Sequence, residues 1–235
     1  MNAAGTVPPK SPTKRADPAG KDPRPLRTGT AAGSAQKGAR QRRVEATRIA
    51  LIHAATEVIG EVGYEKASIA RITTRAKVSQ GTFYGYFQSR QDLFDHLLPE
   101  AGREMIEVIA DGVHGARSLL DVEERGLRSL FTFLTEHPGF YRLLNEAETL
   151  APKAHRAHLR NMVKAYMHSL EIAQANGELP EYDDREIEVL TYMLMGIRSY
   201  LILGFARKGR KITNLPPWVT ATYLRFIRSA LGGSR

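Results

Sequence analysis

Between about Val44 and the C-terminus, apolar side chains recur every three or four positions, and nowhere is the alternation of a half-buried strand sustained. That spacing predicts an all-α chain. The first helix, about 46–61, gathers Leu51, Ala55, Val58 and Val62 on one face with Ile52 and Ile59 beside them, and Gly63 supplies a left-handed stop. Ser68 caps a second helix ending at Ala76, with Ile69 and Ile72 facing inward. A third covers 80–87, and Ser89 opens a fourth with Asp92 at the capping-box position and Phe94, Leu97 and Leu98 on its apolar stripe. Longer helices follow over about 102–119, 122–136, 138–149, 154–175, 184–206 and 217–231. The last two are apolar on more than one side, which calls for a subunit interface as well as a core.

The stretch VSQGTFYGYFQSRQDLF, residues 78–94, sets four aromatic residues within five positions. Ser79 is a good N-cap, Val78 reaches Phe83 as a hydrophobic staple, and Phe83 and Phe87 share the core face. Thr82, Tyr84 and Tyr86 are left on other faces, while Gly81 and Gly85 keep the outer surface low. Helix, tight turn at Lys77-Val78 and helix have the lengths of a helix-turn-helix, whose second helix enters the DNA major groove. Gln80 suits bidentate contact with adenine, Thr82 a thymine methyl or a phosphate, and tyrosine hydroxyls and Arg90 the backbone oxygens.

Charge divides the chain. Residues 1–43 hold ten of the 34 Lys/Arg and two of the 25 Asp/Glu, so the remainder is close to neutral. With six of the twelve prolines and almost no large apolar residues, this segment is expected to be a disordered basic arm. It serves either as a solvated tail or as a phosphate-binding arm that steepens salt dependence. There is no cysteine, which removes disulfides, thiolate metal sites and cysteine nucleophiles. The longest apolar run, LTYMLMGIRSYLILGFA, is interrupted by Arg198, and no secretory leader is visible, so a cytoplasmic protein without a membrane partner is expected.

The segment RIALIHAATEVIGEVGYEKASIARITTRAKVSQGTFYGYFQSRQDLF resembles the TetR/AcrR family of bacterial transcriptional regulators. The likeness rests on Gly63-Tyr64, Ser68-Ile69, Ile72, Ala76, Val78-Ser79, Gly81-Thr82, Tyr84, Tyr86-Phe87, Ser89-Arg90 and Leu93, in that order. It implies an N-terminal three-helix DNA-binding domain over 44–91 and a larger helical ligand-binding and dimerisation domain over 92–235. It implies further that Gln80, Gly81, Thr82 and Tyr86 lie at or near bases, and that Ser68, Tyr84 and Arg90 contact phosphates, with Ser79 at the helix start beside them. Packing inside the domain is the alternative role for Tyr86. Lys77 stands where the family usually has glycine, Thr73 where alanine is common, and Arg90 where lysine is usual.

The partners implied are a palindromic double-stranded operator, a second copy of the chain as a homodimer, and a small-molecule effector; no cofactor is implied. Phe131, Leu134, Phe140, Tyr141, Met162, Tyr166, Met193 and Tyr200 are the candidate ligand contacts, core packing being the other role for most of them. Glu146, Glu148, His155 and His158 form an acid/base cluster that reads as a solvated face or a polar spot in a pocket, and no metal is expected there. An enzyme is disfavoured, since the chain has no phosphate loop, nucleophile elbow or HExxH motif. The near-neutral body argues against a DNA organiser indifferent to sequence.

Overall fold

The computed structural model describes residues 30–209 and 211–231, and Arg43–Arg235 forms one compact unit. The elements are α1 (Thr30–Val62), α2 (Ile69–Ala76), α3 (Gln80–Tyr84), α4 (Arg90–Val113), α5 (Leu119–Glu136), α6 (Phe140–Leu150), α7 (Pro152–Ala175), α8 (Asp184–Leu201) and α9 (Pro217–Leu231). A π turn, Ile202–Ala206, continues α8, and the two-residue strands β1 (Arg207–Lys208) and β2 (Lys211–Ile212) pair antiparallel before α9. The described residues are thus all-α apart from one minimal hairpin.

Several boundaries differ from expectation, three of them instructively. The first helix starts at Thr30 rather than near residue 46. The stretch 30–43 lies beyond the last proline of the arm and is rich in Ala, Gln and Arg, so propensity extends the helix backward. The disorder expected for 1–29 concerns positions outside the described residues. The helix opened by Ser89 does not end before residue 102; α4 runs through Pro99 to Val113. Its buried stripe of Leu93, Phe94, Leu97, Leu98, Ala101 and Met105 outweighs the ~3 kcal/mol that an internal proline costs. Conversely α3 ends its regular part at Tyr84, and a tightened turn at Gly85 carries the chain to Phe87.

In the body α4 packs on α5 and α7, and α7 on α6 and α8. Hydrogen bonds from an ion-paired Arg142 and Glu146 of α6 help tether the N-terminal bundle to this body. Gly63, at φ 82°, ends α1; the next backbone N–H, that of Tyr64, donates to Glu146 Oε2 at 2.8 Å. Arg142 binds Glu146 at 2.5 Å and donates to the Gly60 carbonyl at 3.3 Å. The carboxylate therefore occupies a structural joint. At the same joint the backbones of α1 and the start of α6 touch, because a Cβ on Gly60 would fall 2.4 Å from Gly139 Cα.

By length and composition alone, Asp184–Ala206 would suffice to cross a membrane. Its central Arg198, however, is buried in an ion pair inside the protein.

Candidate nucleic-acid interface and the cavity of the helical body

The Ser68 hydroxyl accepts the Arg71 N–H at 3.3 Å and starts α2. The turn after α2 needs a left-handed residue, and Lys77 supplies it at φ 56°, the one non-glycine residue with positive φ among the described residues. Lysine therefore adopts the conformation that glycine adopts more cheaply, and its side chain is left exposed beside α3. Thr73, in place of a smaller residue, is buried and satisfies its hydroxyl on the Ile69 carbonyl at 2.9 Å. Ser79 then caps α3, accepting the Thr82 N–H at 3.0 Å, with the two hydroxyls 2.9 Å apart.

Phe83 and Phe87 are sealed in the core, their ring centroids 5.7 Å apart. The opposite side of α3 is free: Gln80 and Gly81 are exposed, and Tyr84 is 57% exposed. Thr82 is half-buried. Tyr86 is half-buried too and packs against the core, so part of its ring serves the fold. Arg90 donates to the Glu65 carbonyl at 3.1 Å and lies 5.5 Å from the Phe94 ring centroid, an exposed cation held near the turn before α2. Arg75 points elsewhere, paired with Glu57 and Glu61 of α1 at 2.7 and 2.8 Å.

A cavity of about 280 Å³ lies within the body, walled by α4, α5, α6, α7, α8 and the π turn. Five of the eight candidate ligand contacts line it: Leu134, Phe140, Tyr141, Met162 and Tyr166. Three do not. Phe131 is buried on the other side of α5, facing a separate hollow beside the start of α9. Met193 and Tyr200, 59% and 75% exposed, point out from α8, which turns Met195, Arg198, Ser199 and Ile202 inward instead. A helix apolar all round carries no local mark of its inner face. A wider hollow of about 610 Å³ between α1, α4 and the α5–α6 turn has a rim rich in acid, with Glu57, Glu61, Glu104 and Glu136. The smaller cavity, enclosed by apolar side chains with a few inward polar groups, has the character of a small-molecule site.

The acid/base cluster is divided by the fold. Glu146 serves the joint with Tyr64, while Glu148, His155 and His158 reach the cavity. Among the described residues no group of three or more His, Asp or Glu could hold a metal. His158 is 4% exposed and its Nδ1 has no partner; burial, reinforced by nearby His155, pushes its pKa down to about 4.

Beneath the cavity lies a network that sequence reasoning missed. Glu123, wholly buried, accepts from Tyr166 Oη at 2.6 Å, from Arg198 Nη2 at 2.8 Å and from Tyr223 Oη. The Arg198 guanidinium also lies 4.7 Å from the Tyr166 ring centroid. Burial opposes charge on Arg198, but attraction to Glu123 outweighs it and holds the guanidinium well above its usual range. Burial likewise raises Tyr166 well above the usual phenol range and Tyr223 to about 12. Two signals were readable: a glutamate at 123 on the stripe of Leu119, Leu127, Leu130 and Leu134, and an arginine inside the longest apolar run.

Residues 51–97 match the bacterial regulatory proteins of the tetR family. The HTH-type transcriptional regulator YvdT of Bacillus subtilis strain 168 is 32% identical over 87 residues, 37% of this chain and 45% of that protein. The fatty acid metabolism regulator protein of the same organism is 35% identical over 63 residues, 27% of this chain and 32% of that one. The chain thus spans less than half the length of these two relatives. Among solved structures, the fatty acid degradation regulator FadR from Bacillus halodurans superposes with a TM-score of 0.61 at 20% identity, covering 79% of this chain and 98% of that one. FadR from Bacillus subtilis, solved with stearoyl-CoA, gives 0.58 at 19% identity, covering 80% and 99%. At such identities the structural likeness speaks for the fold.

Proposed function

Because the chain belongs to the TetR family of bacterial transcriptional regulators, we propose that it is a homodimeric repressor released from a palindromic operator by an apolar or amphipathic small molecule. The observation that carries this reading is the division of α3 and the turn after it into a buried side, Phe83 and Phe87, and a free side of Gln80, Gly81 and Tyr84. A rigid back and an open, low front are what a groove-reading helix needs. Gln80, Gly81, Thr82 and the outer part of Tyr86 read bases; Ser68, Tyr84 and Arg90 hold phosphates, with Ser79 fixing the helix start. The domains are a basic arm over 1–43, the DNA-binding domain over 44–91 and the effector and dimerisation domain over 92–235. The protein works in the cytoplasm, off the membrane and without a catalytic step.

Dimerisation sets the spacing of two such helices at one DNA turn, ~34–36 Å, or a multiple of it. An effector that binds better to a differently spaced conformer releases the operator by that difference in binding free energy. Stearoyl-CoA in the Bacillus subtilis FadR structure supports a small-molecule effector in principle. Tyr192, Met193 and Tyr200 on α8 and Trp218 and Phe226 on α9 are exposed apolar residues that support these helices as the dimer surface. Phe226→Asp is expected to convert the dimer to monomer in sedimentation velocity, and an intact dimer would move the interface elsewhere.

The function is tested by fluorescence anisotropy with DNA from the promoter beside the chain's own gene, against scrambled DNA, at several salt concentrations. The wild-type protein is expected to prefer the promoter, and Tyr84→Ala to bind it about tenfold more weakly through loss of a backbone contact. Equal affinity of wild type for both DNAs would leave only charge attraction and sink the operator reading.

A further inference from the structure

The polar groups of the 280 Å³ cavity specify more than an apolar ligand. Arg198 is a cation at its wall, yet Glu123 already neutralises it at 2.8 Å. Glu148 and His155 also line the cavity; Glu148 is exposed, and its carboxylate repels an incoming anion. Among the described residues no cluster of cations lines the cavity to receive a phosphate or a carboxylate.

Among the described residues that line the cavity, His158 is the one with a fully buried side-chain nitrogen lacking a hydrogen-bond partner. Its Nδ1 lies against α4 at Gly102, so closely that a Cβ there would fall 2.0 Å from it, and has no partner. Among the described residues Nε2 has no hydrogen-bond partner either. Since Nδ1 is sealed and His158 lines the cavity, Nε2 is the nitrogen left to face it. A proton on Nδ1 would bury an N–H with no acceptor, whereas a bare Nδ1 takes a weak C–H contact from the Gly102 Cα. We assign the proton to Nε2 on that ground, with the lowered pKa keeping the ring neutral.

Building on the effector reading above, we propose that the cavity takes a compact, uncharged molecule whose carbonyl or hydroxyl oxygen accepts a hydrogen bond from His158 Nε2, and discriminates against carboxylates and coenzyme A thioesters. The volume agrees with a compact ligand, lying just below the ~300–1,000 Å³ of ligand pockets. Desolvating a carboxylate here would go uncompensated, because the buried cation already has its counter-ion.

The test uses the full chain in isothermal titration calorimetry at pH 7.5 with 2-nonanone, octanoate and octanoyl-coenzyme A. The ketone is expected to bind at least about tenfold more tightly than octanoate, with octanoyl-coenzyme A no tighter than octanoate. His158→Leu lowers ketone affinity about five- to tenfold, and His158→Gln, which keeps an N–H donor, restores part of it. The leucine variant unfolds at a temperature no lower than wild type, because it removes a buried, unpartnered nitrogen, so its loss of binding does not reflect unfolding. Tighter binding of octanoate or octanoyl-coenzyme A, or ketone affinity unchanged in His158→Leu, overturns the proposal. Octanoyl-coenzyme A releasing promoter DNA overturns it while leaving the regulator reading intact. Binding of none of the three overturns the proposal as well, while the regulator reading stands or falls with the promoter-binding test.

Discussion

Glu123→Ala is expected to lower the stability of the protein by about 3–5 kcal/mol, the cost of leaving a buried cation without its partner. One carboxylate takes hydrogen bonds from Tyr166 on α7, Arg198 on α8 and Tyr223 on α9. Removing it strands the guanidinium and two phenol hydroxyls in largely buried positions. Urea denaturation measures the effect through the midpoint, with the slope checking that cooperativity survives. Glu123→Gln keeps an acceptor oxygen but not the charge, and should fall between the two. Replacing the pair together, Glu123→Leu with Arg198→Met, is expected to recover most of the loss, since an apolar pair carries no desolvation penalty. A loss below about 1 kcal/mol for Glu123→Ala would mean that Arg198 escapes to solvent and that the network is not closed. Because Tyr166 and Arg198 also line the cavity, the alanine variant should lose its response to a ligand even where it remains folded.

The second large effect is a dependence on acid. His158 has a folded-state pKa of about 4 against 6.5 for the free side chain, through burial first and His155 second. Above pH 6.5 the ring is neutral in both states and folding is unaffected. As pH falls from 6.5 towards 4, the unfolded chain takes up a proton that the folded chain refuses, and stability is lost over that window. The full difference corresponds to about 3 kcal/mol. The measurement is the difference between wild type and His158→Leu in urea melts at several pH values, which isolates the contribution of this ring. The two curves are expected to diverge below pH 6.5, wild type falling faster; parallel curves would show that the imidazole reaches water in the native state.

Much of the DNA-binding domain was legible because its signals are local. Caps at Ser68, Ser79 and Ser89, the stop at Gly63 and the Phe83/Phe87 pair each lie within a few residues of what they organise. Pro99 was the misleading local signal, since the buried stripe of α4 on either side of it is satisfied only by packing against α5 and α7. The candidate cavity was legible in part. Leu134, Phe140, Tyr141, Met162 and Tyr166 line it, whereas Phe131, Met193 and Tyr200, of similar chemistry, do not.

From sequence alone followed the all-α class, the helix-turn-helix over α2 and α3, and the concentration of positive charge ahead of residue 44. All three depend on periodicity, capping and composition, which act over a few residues. Tertiary structure alone decided which side of α8 looks inward, that Glu146 is a joint across 82 residues to Tyr64, and that Glu123 finds Arg198 75 residues away. It also decided that His158 is left with an unfinished hydrogen bond. Those outcomes turn on which surfaces bury one another and which polar atoms then lose water, and no local pattern carries that information.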